Sequence, residues 1–191
     1  DGCGFINSDR ATLTTGTVQL QDGQIQGYRV EGGKVTIGGQ GMDASQTDYT
    51  DVIARSVEVN AGVWAKDLRV TAGANQVNAD NTAATAIAGS GDTPAVAIDV
   101  AQLGGMYAGK IKLVGTAAGM GVRNAGQLGA SAGEVVISAD GTIGNSGQIS
   151  PDAHGFGAKG SIVGGIHAVA GKVKQIGNRV VDGNEALEVT R

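Results

Sequence analysis

Few residues of this 191-residue chain are placed to do chemistry. A thiol nucleophile needs a base within hydrogen-bond reach. The single cysteine, Cys3, has no histidine near it in sequence, since His154 and His167 are the only two. Catalysis at Cys3 is therefore not expected from the logic of a nucleophile, a base and a group that orients the base. Asp43, Asp48 and Asp51 carry oxygens that suit calcium, but their spacing follows neither the EF-hand loop nor the Gly-Gly-x-Gly-x-Asp calcium repeat. A solvated turn region is the expectation there. Asp152, His154 and His167 form a loose set for a metal, with no cysteine and no tight spacing. The glycines Gly39, Gly41, Gly104 and Gly105 lack the dinucleotide fingerprint and the helix that should follow it. They are read as turn residues, and no metal or cofactor is expected. A polysaccharide lyase or hydrolase would need carboxylates and a basic residue clustered along one sheet, whereas Asp and Glu are dispersed here. The expectation is a protein that is not an enzyme, with carbohydrate binding or cleavage as the alternative. Trp64, between Val63 and Ala65 in a strand-like run, is expected to be buried.

The elements that must position these residues follow from composition and period. Hydrophobic residues make up 41% of the chain but aromatic residues only 3%, and there are 34 Gly against 2 Pro. A core of Val, Ile, Leu and Ala without rings has to be narrow, which suits a solenoid better than a sandwich. The net charge of −4 and the absence of any basic run exclude an electrostatic footprint for nucleic acid. No apolar stretch reaches the length needed to span a bilayer as a helix. Asp1-Gly2-Cys3 opens on turn-like sequence, not on a leader.

Helical periodicity is poor. Short triplets instead alternate apolar, polar, apolar, as in Val35-Thr36-Ile37, Val57-Glu58-Val59, Leu68-Arg69-Val70 and Ile111-Lys112-Leu113. Val135-Val136-Ile137 continues the set. This is the mark of strands with one buried face, and Gly, Asn, Asp or Ser follows each within a few residues. Asn124-Ala125-Gly126-Gln127-Leu128 returns 21 residues later as Asn145-Ser146-Gly147-Gln148-Ile149, with an imperfect echo at Ile176-Gly177-Asn178-Arg179-Val180. A repeat of about 20 residues is the length of one coil of a β-helix. Val18 to Tyr28, with Asp22-Gly23 at its centre, reads as a hairpin. Antiparallel pairing does not fit inside a parallel coil, so the hairpin is expected outside the helix body and leaning on one face. Gln76 to Thr93 is polar, Ala-rich and weakly patterned, and is read as a loop that leaves the helix and returns. The fold class expected is all-β, a right-handed parallel β-helix with an extra-helical β-hairpin. Residues 1–150 form the β-helical part, and 151–191 an irregular continuation or end.

Two stretches carry a resemblance. Asp1-Gly2-Cys3-Gly4-Phe5-Ile6-Asn7, followed by Arg10-Ala11-Thr12-Leu13-Thr14-Thr15-Gly16, resembles the secretion domain of filamentous haemagglutinin-type two-partner secretion exoproteins. The run from Thr93 to Val100, then Leu103-Gly104-Gly105-Met106-Tyr107-Ala108 and on to Gly121-Val122-Arg123-Asn124-Ala125-Gly126, is similar to the same family. Asp51-Val52-Ile53-Ala54-Arg55 and Gly73-Ala74-Asn75-Gln76-Val77 match in between, so the resemblance covers about residues 1–150.

The resemblance implies a module for secretion targeting and folding nucleation within a large adhesin, haemolysin or contact-dependent growth-inhibition toxin. Such proteins pass through the periplasm and cross the outer membrane unfolded, through a partner β-barrel transporter. They fold outside as a β-helix and remain secreted or on the cell surface, where a host or neighbouring-cell receptor is the expected further partner. The matching residues Cys3, Gly4, Phe5, Ile6, Asn7, Arg123 and Asn124 are implied to serve structure or transporter recognition. The family's Asn-Pro-Asn-Gly motif and the second cysteine of a Cys-x-x-Cys pair with Cys3 are missing ahead of Asp1, so the chain resembles the later part of the domain. Without that partner Cys3 is expected to be a free thiol, and the amino-terminal edge to favour self-association.

Overall fold

The computed structural model describes residues 2–150, together with 166–168 and 187–189. Eighteen strands account for its regular structure: β1 (Cys3–Gly4), β2 (Arg10–Thr14), β3 (Thr17–Gln21), β4 (Gln24–Val30), β5 (Lys34–Ile37), β6 (Met42–Ala54), β7 (Ser56–Val59), β8 (Gly62–Ala72), β9 (Asn75–Asn78), β10 (Ala84–Ala86), β11 (Val96–Val100), β12 (Gly105–Gly115), β13 (Gly121–Asn124), β14 (Gln127–Ala139), β15 (Ile143–Asn145), β16 (Gln148–Ser150), β17 (Ile166–Ala168) and β18 (Leu187–Val189). No helix long and apolar enough to cross a membrane occurs among the described residues.

Each coil contributes one long strand to a first sheet and one short strand to a second. The first sheet runs β1-β6-β8-β12-β14-β16, with β2 also on β6 and β17 on β14; the second runs β18-β15-β13-β11-β7-β5. Pairing is parallel throughout both except between β15 and β18. This is the right-handed parallel β-helix expected from the short triplets. Because side chains alternate across a strand, coil stacking places the apolar member of each triplet over its equivalent. Val52, Val70, Leu113 and Ile137 form one such row in the first sheet. Val57, Ile98, Val122 and Ile143 form another in the second. Both rows are buried in one continuous core. At roughly 25 cal/mol per Å² of buried apolar surface, these rows are the main stabilising contribution.

The Asn-x-Gly repeat proves to be the corner of the coil. Asn124 and Asn145 are register partners on β13 and β15, and the Asn124 Nδ2 donates to Asn145 Oδ1 at 2.7 Å. Asn124 Oδ1 in turn accepts from the Gly126 N–H at 3.2 Å, and Asn145 Nδ2 donates to the Gly147 carbonyl at 3.3 Å. Glycine follows because the preceding coil's backbone passes close by. A Cβ on Gly126 would lie 2.2 Å from the Gly104 oxygen, and one on Gly147 2.1 Å from the Gly126 oxygen. The echo at residues 176–180 lies outside the described residues.

The hairpin is present where the sequence puts it. β3 and β4 pair antiparallel around Asp22-Gly23, whose φ values of 51° and 78° fit a two-residue hairpin turn. The loop expected at Gln76 to Thr93 needs correction. It carries the rest of β9 and all of β10, which extend the hairpin into a four-stranded antiparallel sheet ordered β10-β9-β4-β3. Asn78 makes the turn between β9 and β10, its Oδ1 accepting from the Thr82 and Ala83 N–H groups, each at 2.9 Å. Pairing with a strand more than forty residues earlier supplies order that local composition does not show. Tyr28, Val30 and Val77 of this sheet, with Ala84 beside them, pack on Ile53, whose side chain leaves the outer face of β6.

Candidate functional site

The family-motif residues divide by position. Cys3 and Gly4 start on the edge of the first sheet, paired with Met42 and Asp43 of β6. Cys3 is an exposed free thiol. Phe5 packs against the core, while Ile6 next to it is 80% exposed and Asn7 adopts a left-handed φ of 56°. Arg123 stands on the outer face of β13, opposite Asp99 of β11, and grips that carboxylate with both Nε (2.8 Å) and Nη2. The pairing holds the Arg123 guanidinium proton more firmly than usual, first through that hydrogen bond and then through the Asp99 charge. Asn124 is buried in the amide ladder. The structure thus brings Arg123 and Asn124 together as outer and inner neighbours on one strand. Cys3 to Asn7 forms a separate group at the β1 edge.

Outward positions of the first sheet hold a second constellation that no single motif announces. Asp51 is fully buried, although its side chain points away from the core. Arg10 of β2 approaches with Nη1 2.6 Å from Asp51 Oδ2, and Asn81 from the β9–β10 turn donates to Oδ1 at 3.1 Å. Thr71 Oγ1 completes the chain by donating to Asn81 Oδ1 at 2.7 Å. Burial pushes the Asp51 carboxyl above its ordinary value, against the pull of Asn81, Arg10 and Arg69. Tyr49 lies between the two arginines, with Arg10 Cζ at 4.7 Å and Arg69 Cζ at 5.5 Å from its ring centre. The cluster ties the first strands, the second coil and the extra-helical sheet together. It has no vacant nucleophile or base.

The solvated turn expected at Asp43, Asp48 and Asp51 is a strand instead: all three lie in β6, and Asp51 is buried. Asp43 accepts from the Ser45 N–H, Asp48 pairs with Lys66, and Asp51 is committed to Arg10 and Asn81. No three His, Cys, Asp or Glu residues gather to hold a metal among the described residues. Asp152 and His154 lie outside those residues, and of His167 only its strand pairing with Ser138 is described. Trp64 corrects another expectation: it is 43% exposed. With Val63 turned into the narrow core, alternation sends the indole outward. There it covers Gly62 and lies near-parallel to Tyr107, with ring centres 6.0 Å apart.

Comparison with known proteins gives this architecture a family. The family described as the TPS secretion domain matches residues 1–149. A Yersinia pestis protein named Toxin CdiA is 59% identical over 151 residues, covering 78% of this chain and 5% of its own length. An Escherichia coli protein (strain STEC_O31) named tRNA nuclease CdiA is 51% identical over 144 residues, covering 75% of this chain and 4% of its own length. The chain therefore spans about a twentieth of the curated relatives it matches. Among solved structures, the crystal structure of a filamentous hemagglutinin secretion domain superposes with a TM-score of 0.65 at 29% identity, covering 89% of this chain and 64% of that one. A parallel β-helix with an extra-helical antiparallel sheet, matched over four-fifths of its length by a single family, places this chain in the TPS secretion domain family.

Proposed function

We propose that this chain is the export-targeting and fold-nucleating segment of a large surface exoprotein of the contact-dependent toxin or adhesin class. Export runs through the periplasm and then through a dedicated outer-membrane β-barrel transporter, which is its direct partner. The observation that carries this reading is the match of residues 1–149 to a secretion domain. The domain itself turns over no substrate. Nuclease appears in the names of relatives of which this region is about a twentieth, and we assign that activity to their other parts. Residues 1–150 act as the β-helical unit; the irregular continuation or end expected at 151–191 lies, apart from 166–168 and 187–189, outside the described residues.

Within the motif, burial separates two roles. Phe5 and Asn124 serve the fold, whereas the exposed Cys3, Ile6 and Arg123 are available for recognition. Receptor contact on a host or neighbouring cell falls to the rest of the exoprotein. A secretion assay on the full-length protein tests the proposal, run with and without the partner transporter and with residues 1–150 deleted. Export that requires both the transporter and the segment is the expected result. Export that ignores both would remove the targeting role and bring a binding function forward.

A further inference from the structure

The tip of the extra-helical sheet leaves a gap where it meets the coil of β12, the third counting from that of β6. A cavity of about 80 Å³ lies between Arg69 and Thr71 of β8, Lys112 and Val114 of β12, and Asn81 and Thr82 of the tip. A single water needs roughly 10–15 Å³ of such space, so the cavity admits several waters or a group of a few heavy atoms.

Its lining carries two cations, Arg69 and Lys112, and no acid, while Asp67 and Asp51 act on Arg69 from outside it. Arg69 and Lys112 are direct register partners on adjacent strands, and like charges so placed repel. On the far side of Lys112 the row continues to Val136, and on the far side of Arg69 to Asp51, which Arg10 and Asn81 already hold. Arg69 spends Nε and Nη2 on Asp67 and one Nη1 hydrogen on the Asp80 carbonyl. Of the five N–H groups on a guanidinium, two therefore remain, one on each terminal nitrogen. Lys112 has no ion pair or hydrogen bond among the described residues. The hydroxyls are already donating, Thr71 to Asn81 and Thr82 to Asp80. What the residues lining the notch leave uncommitted is the Lys112 ammonium and two terminal N–H groups of Arg69, whose guanidinium also lies 5.5 Å from the Tyr49 ring centre.

We propose that this notch is a carboxylate-binding site, with Lys112 as its principal anchor and Arg69 as the second donor. A planar two-oxygen anion suits two N–H groups on the terminal nitrogens of one guanidinium. Occupancy also closes a gap in the fastening of the extra-helical sheet. The tip's present bonds reach β6 through Asn81 and Asp51, and β8 through Thr71 and Arg69, but none described reaches β12. A bound carboxylate bridges Lys112 to Arg69 and extends the cover over the third coil. Its source is either a free small carboxylate or an acidic side chain of a partner protein.

The test is an amide-resolved NMR titration of the whole chain at constant ionic strength. The probes are sodium acetate, sodium chloride as the anion control, a glutamate-rich peptide with an amidated C-terminus and the same amidated peptide with glutamine. Saturable shifts centred on Lys112, Thr82 and Ala83 are expected with acetate or with the glutamate peptide, and not with chloride or the glutamine peptide. Lys112→Gln should weaken binding at least tenfold, Lys112→Arg should retain it, and Lys66→Gln at the distant Asp48 pair should leave it unchanged. Acetate alone saturating the site identifies a free carboxylate. The glutamate peptide binding at far lower concentration identifies an acidic side chain. Absence of saturable shifts by about 100 mM acetate and with the peptide, or equal shifts in Lys112→Gln, overturns the proposal.

Discussion

Asn124 and Asn145 sit in a row that is otherwise aliphatic, with Ile37, Val59 and Val100 in the equivalent places of earlier coils. An amide persists there because each one satisfies the next, and leaving one without its partner costs about 1–3 kcal/mol. Asn145→Ala should therefore destabilise the chain by about that amount in urea. Replacing both amides by valine should cost less than the sum of the two single changes, since the orphaned group disappears with its partner; additive costs would show that the ladder is not coupled. Asp51 makes a different demand. Its folded carboxyl titrates above the ordinary value of about 3.9 because burial disfavours the charge. The folded state then holds the proton more tightly than the unfolded chain does. This contribution is full below the ordinary value and is lost as pH rises from there through the raised one. Relative to Asp51→Asn, the native chain should gain stability as pH falls across that window. A flat difference, or one that grows with rising pH, would mean that the Arg10 pair dominates burial.

At the scale of elements, the extra-helical sheet rests on a small second core in which Ile53 is the β-helix's own contribution. Ile53→Ala should cost about 2–5 kcal/mol. Hydrogen exchange should quicken first in β4 and β9, while β12 and β14 keep their protection. Uniform loss of protection would show instead that the sheet and the helix unfold as one unit. This sheet also marks where the sequence stops being legible. The triplets reveal their strands because alternation is local, and Asp22-Gly23 reveals a turn because its chemistry is local. β10 has only alanines and a threonine to offer, and its order comes from β9 and through it from β4. Trp64 misleads because indoles are usually buried; here the rows of Val, Ile and Leu leave no room inside. The pairing of Arg69 with Lys112 was half visible, since each is the outward member of a triplet. Only the excursion between their coils, some twenty residues of it spent outside the helix, hides that they are neighbours.

The described coils form a stack in which each touches the one before and the one after, so the stability of the β-helical part is close to a sum of coil terms and nearest-neighbour terms. Two isoleucines of the second sheet separate these contributions. Ile98 lies between Val57 and Val122, with a coil on either side. Ile37 lies on β5, the edge of that sheet, and has Val59 as its register partner on one side. The same truncation to alanine removes the same atoms at both places. Ile98→Ala should cost about 3–5 kcal/mol, because the void opens within packed rows that cannot close over it. It should also lower protection in coils on both sides. Ile37→Ala should cost about half as much and quicken exchange in β5 and its turn, with β11 to β14 unmoved. If the two substitutions prove equal in size and both global, the rod is a single cooperative unit. If they differ as expected, folding can begin at a central coil and propagate outward, which is the property a segment needs in order to seed the β-helix of a much longer exported chain.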